Sequence, residues 1–335
     1  MEKHIKESMK EEFQTKGLAL YGLTNKNLED LEGYENFVYG YKDQGQDYVL
    51  RFVHSDHRTY EEVLAEIEFI DFLADKGASV SQVIHSIDDK IVTKLPINEG
   101  SYFSVCVFTK GKGKQIKEEV DDPKYWERLG KEVGFMHKLT MDYQPQYKRK
   151  AWYEDTLFRL ANKVLVGEYA PILEAFRRLE EAIKKLPTNK RNYGLIHTDL
   201  HRGNMVLDQG KDFTFFDFDD SSYKHFIADI AIILYYEFAF KKQSKEERTE
   251  RSIWIMQHFL RGYHQEHSLG KEDWIQLNTF LRLREFELMI VVLLEGKETI
   301  ESKWGKAFLK EQYEKISDHH AFLDQDSFLK KLKVF

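Results

Sequence analysis

The stretch Leu195 to Asp208, "LIHTDLHRGNMVLD", breaks an apolar sequence with two histidines, an aspartate and an asparagine. Leu195 and Ile196 on one side, and Met205 to Leu207 on the other, read as two short strands. His197, Asp199, His201 and Asn204 then fall on the connecting loop, where a rigid scaffold aims side chains outward. Downstream, "FTFFDFDDSS" supplies a further strand-like run, Phe213 to Phe216, separated from Met205–Asp208 by turn residues. The two runs predict a hairpin that returns Asp217 to the side of Asn204. A carboxylate and a neutral amide oxygen converging there, with positions left for phosphate oxygens and water, suit a hard cation such as Mg²⁺.

Working outward, 335 residues suffice for two domains or two lobes of one fold. From about residue 20 to residue 108 the pattern mixes strands with one helix. "ENFVYGYKDQGQDYVLRFV" reads as a hairpin with strands Asn36–Tyr41 and Tyr48–Val53 and a turn around Gly45. Val63, Ile67, Ile70 and Ala74 give Tyr60–Ala74 the spacing of a helix with one buried face, stopped by Gly77. Strand-like "VSQVIHSI", "KIVTKLP" and "YFSVCVF" follow. The glycine- and lysine-rich "TKGKGKQ" has no apolar anchor and reads as a linker, so the expected division is 1–108, a hinge at 109–116, and 117–335. Beyond it, Trp126, Leu129, Val133 and His137, then Ile172, Phe176, Leu179 and Ile183, follow helical spacing, and after Ile227 nearly everything does. The expected class is α+β: a small antiparallel-sheet lobe and a larger, mainly helical one.

Bulk properties exclude several roles. Apolar residues at 42% and charged residues at 32% describe a globular chain. A net charge of −7 argues against a nucleic-acid coat, which needs surplus Lys and Arg. The lone Cys106, inside "FSVCVF", reads as a small core residue and fits a reducing compartment. "MEKHIKESMKEEFQ" lacks the apolar core of a secretory signal, and the apolar run Leu288–Leu294 falls short of the ~20 residues of a membrane helix. The expectation is a cytoplasmic protein with neither a membrane nor a nucleic acid as partner.

The loop His197-Thr198-Asp199-Leu200-His201-Arg202-Gly203-Asn204 fits H-x-D-x-x-x-x-N, the catalytic-loop spacing of eukaryotic-type kinases. In that pattern the aspartate receives the proton of the attacking hydroxyl and the asparagine binds Mg²⁺; Asp217 stands in D-F-D where such kinases carry D-F-G. "HTDLHRGN" followed by "FFDFDDSSYKHFIADIA" resembles the aminoglycoside phosphotransferase superfamily, which includes choline, homoserine and methylthioribose kinases. The resemblance implies a two-lobed protein-kinase-like fold, ATP or GTP as phosphate donor and a small alcohol-bearing acceptor. It assigns Asp199 as catalytic base, Asn204 and Asp217 as Mg²⁺ ligands, and "ENFVY" as the nucleotide-covering loop, with Asn36 and Phe37 near the phosphates. It further implies a hinge from about Val107 to Lys112, with Val107 and Phe108 at its start and backbone groups meeting the base. Asp229 becomes a structural aspartate, and Glu66, with Glu68 as second choice, the glutamate that steadies a phosphate-binding cation.

Two departures stand out. Arg51 in "YVLRFV" occupies the usual lysine position; it can pair with Glu66 and bind phosphates bidentately, but it is no neutral swap. The preceding loop lacks G-x-G-x-x-G, having only Gly33 and Gly40. These two features are the support for a rival reading as a catalytically silent nucleotide-binding protein. A protein kinase is a second rival, weakened because no activation-loop-like insertion precedes Asp229.

Other residues carry competing readings. "HTDLH" offers zinc ligands, yet Gly203 and the flanking strands favour a loop over the helix that an i, i+4 histidine pair needs, so His197 and His201 are expected to brace the loop. His137 reads as a satisfied core histidine. Asp219 and Asp220 read as capping or turn carboxylates, or as charges near a cationic substrate. In "QLNTFLRLREFELMIVVLL", Arg284 and Glu287 interrupt apolar stripes three residues apart and could pair with each other or line the acceptor pocket. Arg282 or Arg284 would suit a carboxylate substrate, while the aromatics from Tyr235 to Phe240 would suit an alkylammonium. Asp220, Tyr223, Arg282 and Arg284 are thus the candidate acceptor-pocket residues.

Overall fold

The computed structural model describes residues 3–23, 27–239 and 241–332, so Phe240 lies outside the described residues. The chain forms two compact units. The first contains Met1–Ile116, Asp142–Arg149 and Gly203–Asp219; the second contains Lys117–Met141, Lys150–Arg202 and Asp220–Phe335.

The first unit begins with helices α1 (Lys3–Ser8) and α2 (Glu11–Leu20), which the sequence reading did not single out. It continues with β1 (Glu29–Asp30), β2 (Phe37–Asp43), β3 (Gln46–His54), α3 (Tyr60–Asp75), β4 (Val83–Ile84), β5 (Thr93–Pro96) and β6 (Tyr102–Thr109). These strands make an antiparallel sheet in the order β1-β2-β3-β6-β4, with β5 also on β6. Gln44 and Gly45 turn the β2–β3 hairpin with φ of 47° and 83°, the left-handed pair that matches the twist of the flanking strands. Alternation then sends Leu50 and Phe52 of β3 into one core, with Tyr39, Phe103, Val105 and the α2 residues Phe13 and Leu18. Arg51 necessarily points to the other face. Helix α3 starts with a capping box, Thr59 Oγ1 accepting from Glu62 N at 3.2 Å and Glu62 Oε2 accepting from Thr59 N at 2.9 Å. It ends at Gly77, whose φ is 84°.

Three expectations differ from the structure. The second lobe does not run unbroken from 117, because the hairpin of β8 (Met205–Asp208) and β9 (Asp212–Phe215) folds with the first unit. Phe215 N donates to Ser79 O at 2.8 Å, and Ser81 N to Phe215 O at 3.1 Å. The supposed linker is also anchored, by backbone and not by apolar side chains: Lys114 bridges Leu207, and Gly113, at φ 95°, lies so close that a β-carbon would stand 2.2 Å from Leu207 O. Likewise "VSQVIHSI" yields only the two-residue β4, with the rest of the segment outside any strand.

The second unit is mainly helical: α4 (Pro123–Thr140), α5 (Thr156–Val164), α6 (Ala170–Lys184), α7 (Ile227–Phe238), α8 (Lys245–Glu266), α9 (Lys271–Ile275), α10 (Leu277–Leu294), α11 (Lys297–Glu301), α12 (Lys303–Ser317) and α13 (Gln325–Leu332). One antiparallel pair, β7 (Tyr193–Ile196) with β10 (Ser222–His225), stands among them. Trp126, Phe176, Ile230, Leu234, Trp274, Leu281 and Phe286 are buried here. Helices α4 and α8 meet through glycine. A β-carbon on Gly130 would lie 1.9 Å from Phe259 O, and one on Gly262 would lie 1.7 Å from Glu127 O. Gly262→Ala must therefore push the helices apart, and urea unfolding is expected to show a loss of roughly 1–3 kcal/mol or more. An unchanged midpoint would contradict this packing. Among the described residues no helix is long and apolar enough to cross a membrane.

Candidate functional site

In the first unit, strand alternation and the α3 helix bring Arg51 and Glu66 together. The contact is bidentate, Nη1 to Oε1 at 2.8 Å and Nη2 to Oε2 at 2.7 Å, between side chains only 7% and 0% exposed. Glu66 is thus the partner, and the second choice Glu68 goes elsewhere, accepting from Gln146 N and Tyr147 N at 2.9 Å each. The guanidinium also lies 5.5 Å from the Phe108 ring centroid. Cys106 is buried as expected, and burial pushes its thiol up to about 11. Val107 and Phe108, expected at the start of the hinge, both sit inside β6, registered with Leu50 and Val49 on one side and Ile84 and Val83 on the other. Ladder-like bonding continues past them, Thr109 N to Gln82 O and Lys110 N to Asp47 O, both at 2.9 Å.

Asn36 is buried just before β2, and its Oδ1 has no hydrogen-bond partner among the described residues. Phe37 commits its ring to the core, edge-on to Phe103 at 5.9 Å, and so offers no polar group to phosphates. Asn204 stands at the head of β8 and Asp217 just past the end of β9. The register Met205↔Phe215 puts them at the same end of the hairpin, and Phe216 N donates to Asn204 O at 3.1 Å. Asp217 has φ 64°, a strained backbone for a non-glycine residue of the kind that concentrates at functional positions. An amide oxygen and a carboxylate on adjacent strand ends are a donor set that fits Mg²⁺.

Asp219 does lie in a turn, as the sequence reading allowed, but its carboxylate serves more than the turn. It is buried, with His57 Nε2 at 2.8 Å and Arg58 Nε at 3.4 Å from its carboxylate, and its carbonyl accepts from Arg58 and Arg149. Burial alone would raise its pKa, but Arg58, His57 and Arg51 hold it well below the usual carboxylate range. Glu35 Oε2 lies 3.3 Å from the same His57 nitrogen. Glu35, His57 and Asp219 are the described trio whose ligand atoms converge, within 4.8 Å; His57 Nε2 is hydrogen-bonded to Asp219, with the Glu35 carboxylate close to the same nitrogen.

In the second unit the loop after β7 is held from behind. Asp229 at the start of α7 accepts from Thr198 N at 2.8 Å and His197 N at 3.3 Å, and His137 Nε2 lies 3.2 Å from it. His137 Nδ1 meets Tyr263 OH at 2.9 Å, so the core-histidine reading holds and Asp229 is structural. Thr198, at φ 63°, needs this support. His197 Nδ1 accepts from Asp199 N at 3.3 Å, a bracing contact. His201 does more than brace: its Nε2 lies 3.3 Å from Asp199 Oδ2.

Asp199 Oδ1 accepts from Arg284 Nη2, a contact between residues far apart in sequence. Arg284 also donates to Tyr236 OH at 2.7 Å and to Glu287 Oε2 at 3.3 Å, and Glu287 Oε1 accepts from Lys224 Nζ at 2.8 Å. The expected Arg284–Glu287 pair therefore exists, but as one link of a longer chain. Burial would raise the pKa of Asp199; Arg284, His201 and His197 instead hold it far below the usual carboxylate range. Arg282 is drawn away, to Glu285 at 2.8 Å and the carbonyl of His320. Asp220 is exposed, with its carbonyl accepting from Thr198 Oγ1. Tyr223 is half-buried in β10, its N donating to Lys150 O at 3.1 Å. Sequence reading missed the Asp199–Arg284 contact, Tyr236 as its neighbour and His57 beside Asp219. The one signal was a charge on an apolar helix face, which marked Arg284 without naming its partner.

The model of the phosphotransferase enzyme family matches residues 28–265. The chain is 32% identical over 277 residues, covering 82% of either protein, to an amicoumacin kinase of Bacillus subtilis (strain 168). A solved amicoumacin kinase in complex with AMP-PNP, Ca²⁺ and Ami aligns with a TM-score of 0.89 at 30% identity, covering 97% of this chain and 98% of that one. A microcompartment-associated aminopropanol kinase shares the fold at TM-score 0.72 and 18% identity, over 97% and 99% of the two chains. The fold and the H-x-D-x-x-x-x-N loop are those of a kinase-type enzyme. The chain belongs to the phosphotransferase enzyme family, within the aminoglycoside phosphotransferase superfamily.

Proposed function

We propose that the enzyme transfers the γ-phosphate of ATP, with Mg²⁺, to a hydroxyl of a small-molecule acceptor of the amicoumacin type. The observation that carries this reading is the full set of Asp199, Asn204 and Asp217, each with the chemistry its part requires, in a chain 32% identical to an amicoumacin kinase. The AMP-PNP in the similar solved kinase supports an adenine nucleotide as donor.

Asp199, ionised and held at both carboxylate oxygens, aligns the acceptor hydroxyl for in-line attack and receives its proton late in transfer. Asn204 and Asp217 would hold the metal, which when bound neutralises phosphate charge. Arg51, itself fixed by Glu66, supplies positive charge to the triphosphate through its remaining N–H groups, and Asn36 offers its buried amide. Catalysis on this reading is positioning and charge neutralisation, with acceptor identity left to the second unit's helices.

The test is a coupled nucleotide-consumption assay with Mg²⁺ and ATP or GTP against amicoumacin, aminopropanol, choline, homoserine and aminoglycosides. Acceptor-dependent turnover with ATP, greatest for amicoumacin, is expected, with the product carrying a phosphate ester by mass spectrometry. Turnover with none of these, in protein that binds no nucleotide by calorimetry, would overturn the reading.

A further inference from the structure

Arg284 is a cation in a place that disfavours one. It lies on α10 between buried Leu283 and Glu285, its side chain 12% exposed, and its Nε is buried without a partner among the described residues. Burying a guanidinium is costly unless it is paired on every side that allows it. Here the pairing forms an alternating series, Lys224–Glu287–Arg284–Asp199, closed laterally by Tyr236, whose OH accepts from Arg284 and whose ring lies 5.2 Å from the guanidinium carbon. Lys224 fixes Glu287, Glu287 and Tyr236 fix Arg284, and Arg284 ends on one oxygen of Asp199 while His201 takes the other.

A carboxylate held at one oxygen still turns about its Cβ–Cγ bond; held at both, it presents one plane. We propose that Arg284 is the positioning residue for Asp199, locking the plane in which its carboxylate meets the acceptor hydroxyl. This rests on the reading of Asp199 given above and extends it to the residue on which that aspartate depends. A carboxylate so strongly paired is a poor base, which agrees with transfer through a loose transition state where orientation outweighs proton abstraction.

The experiment is a double-mutant cycle on the full chain: wild type, Arg284→Gln, Asp199→Asn and the double variant, with kcat and both KM values measured. Arg284→Gln is expected to lower kcat by about 10²-fold, the scale of a misplaced catalytic group, with the KM for ATP unchanged. On the Asp199→Asn background the same substitution should cost nothing further, because its target is gone. Arg284→Lys should recover part of the loss by restoring charge near Oδ1. Tyr236→Phe, which strands no buried charge, should give a smaller loss of the same pattern and serves if Arg284→Gln does not fold. Wild-type kcat in Arg284→Gln, or an equal loss on both backgrounds, would overturn the proposal while leaving Asp199 in its role. Full transfer by Asp199→Asn would overturn the role of Asp199 itself.

Discussion

Replacing Asp199 with asparagine is expected to lower kcat by roughly 10²–10⁴-fold while nucleotide affinity stays at the wild-type value. The amide keeps the size and one oxygen of the carboxylate, but it cannot receive the acceptor's proton and carries no charge for Arg284 and His201 to hold. Arg284 keeps Glu287 and Tyr236, so the fold should survive. The pH dependence follows from the same contacts. The pKa of Asp199 is depressed in the folded protein, so its pairing stabilises the fold above the ordinary carboxylate pKa and that contribution is lost as pH falls through the depressed value. The variant should accordingly lose less stability on acidification than the wild type. Steady-state kinetics, nucleotide calorimetry and unfolding at neutral and acidic pH check these points together. A variant with full kcat would remove Asp199 from the mechanism.

The second large effect concerns stability. Removing either partner of the Arg51–Glu66 pair leaves a charge in a place that is 7% or 0% exposed, and either Arg51→Met or Glu66→Ala is expected to cost about 3–5 kcal/mol. Replacing both with apolar residues, Arg51→Met with Glu66→Leu, should restore most of that loss, since an apolar pair needs no solvation. Arg51→Lys keeps the charge but not the two parallel hydrogen bonds and should fall between. Urea unfolding gives the stability and ATP calorimetry the function. If Arg51 serves the triphosphate, the double variant will be stable and still bind ATP poorly. Single variants that unfold at the wild-type midpoint would mean that the pair is not buried as described.

The loop, the hairpin and Asp217 were legible because all three lie within one short stretch, where strand spacing and turn residues dictate geometry locally. The Arg51–Glu66 contact was legible for a related reason: a strand leading directly into a helix leaves few ways for the two polar residues to meet. His137 could be read as a core histidine from its place on an apolar stripe, although its partners Asp229 and Tyr263 could not be named. Asp219 was legible as a turn residue, but its partners His57 and Arg58, distant in the chain, were not, because they come from another part of the fold.

The amino-acid sequence by itself determined the class of the enzyme, its α+β character and the H-x-D-x-x-x-x-N loop with its neighbouring hairpin, because those rest on residue type at short, regular spacing. Tertiary structure alone decided that the glycine-rich segment docks on β8, that the β8–β9 hairpin folds with the first unit, and that Arg284 reaches Asp199. Periodicity shows which face of a helix is buried. It does not say which distant side chain that face will meet, since that choice depends on how the whole set of helices packs.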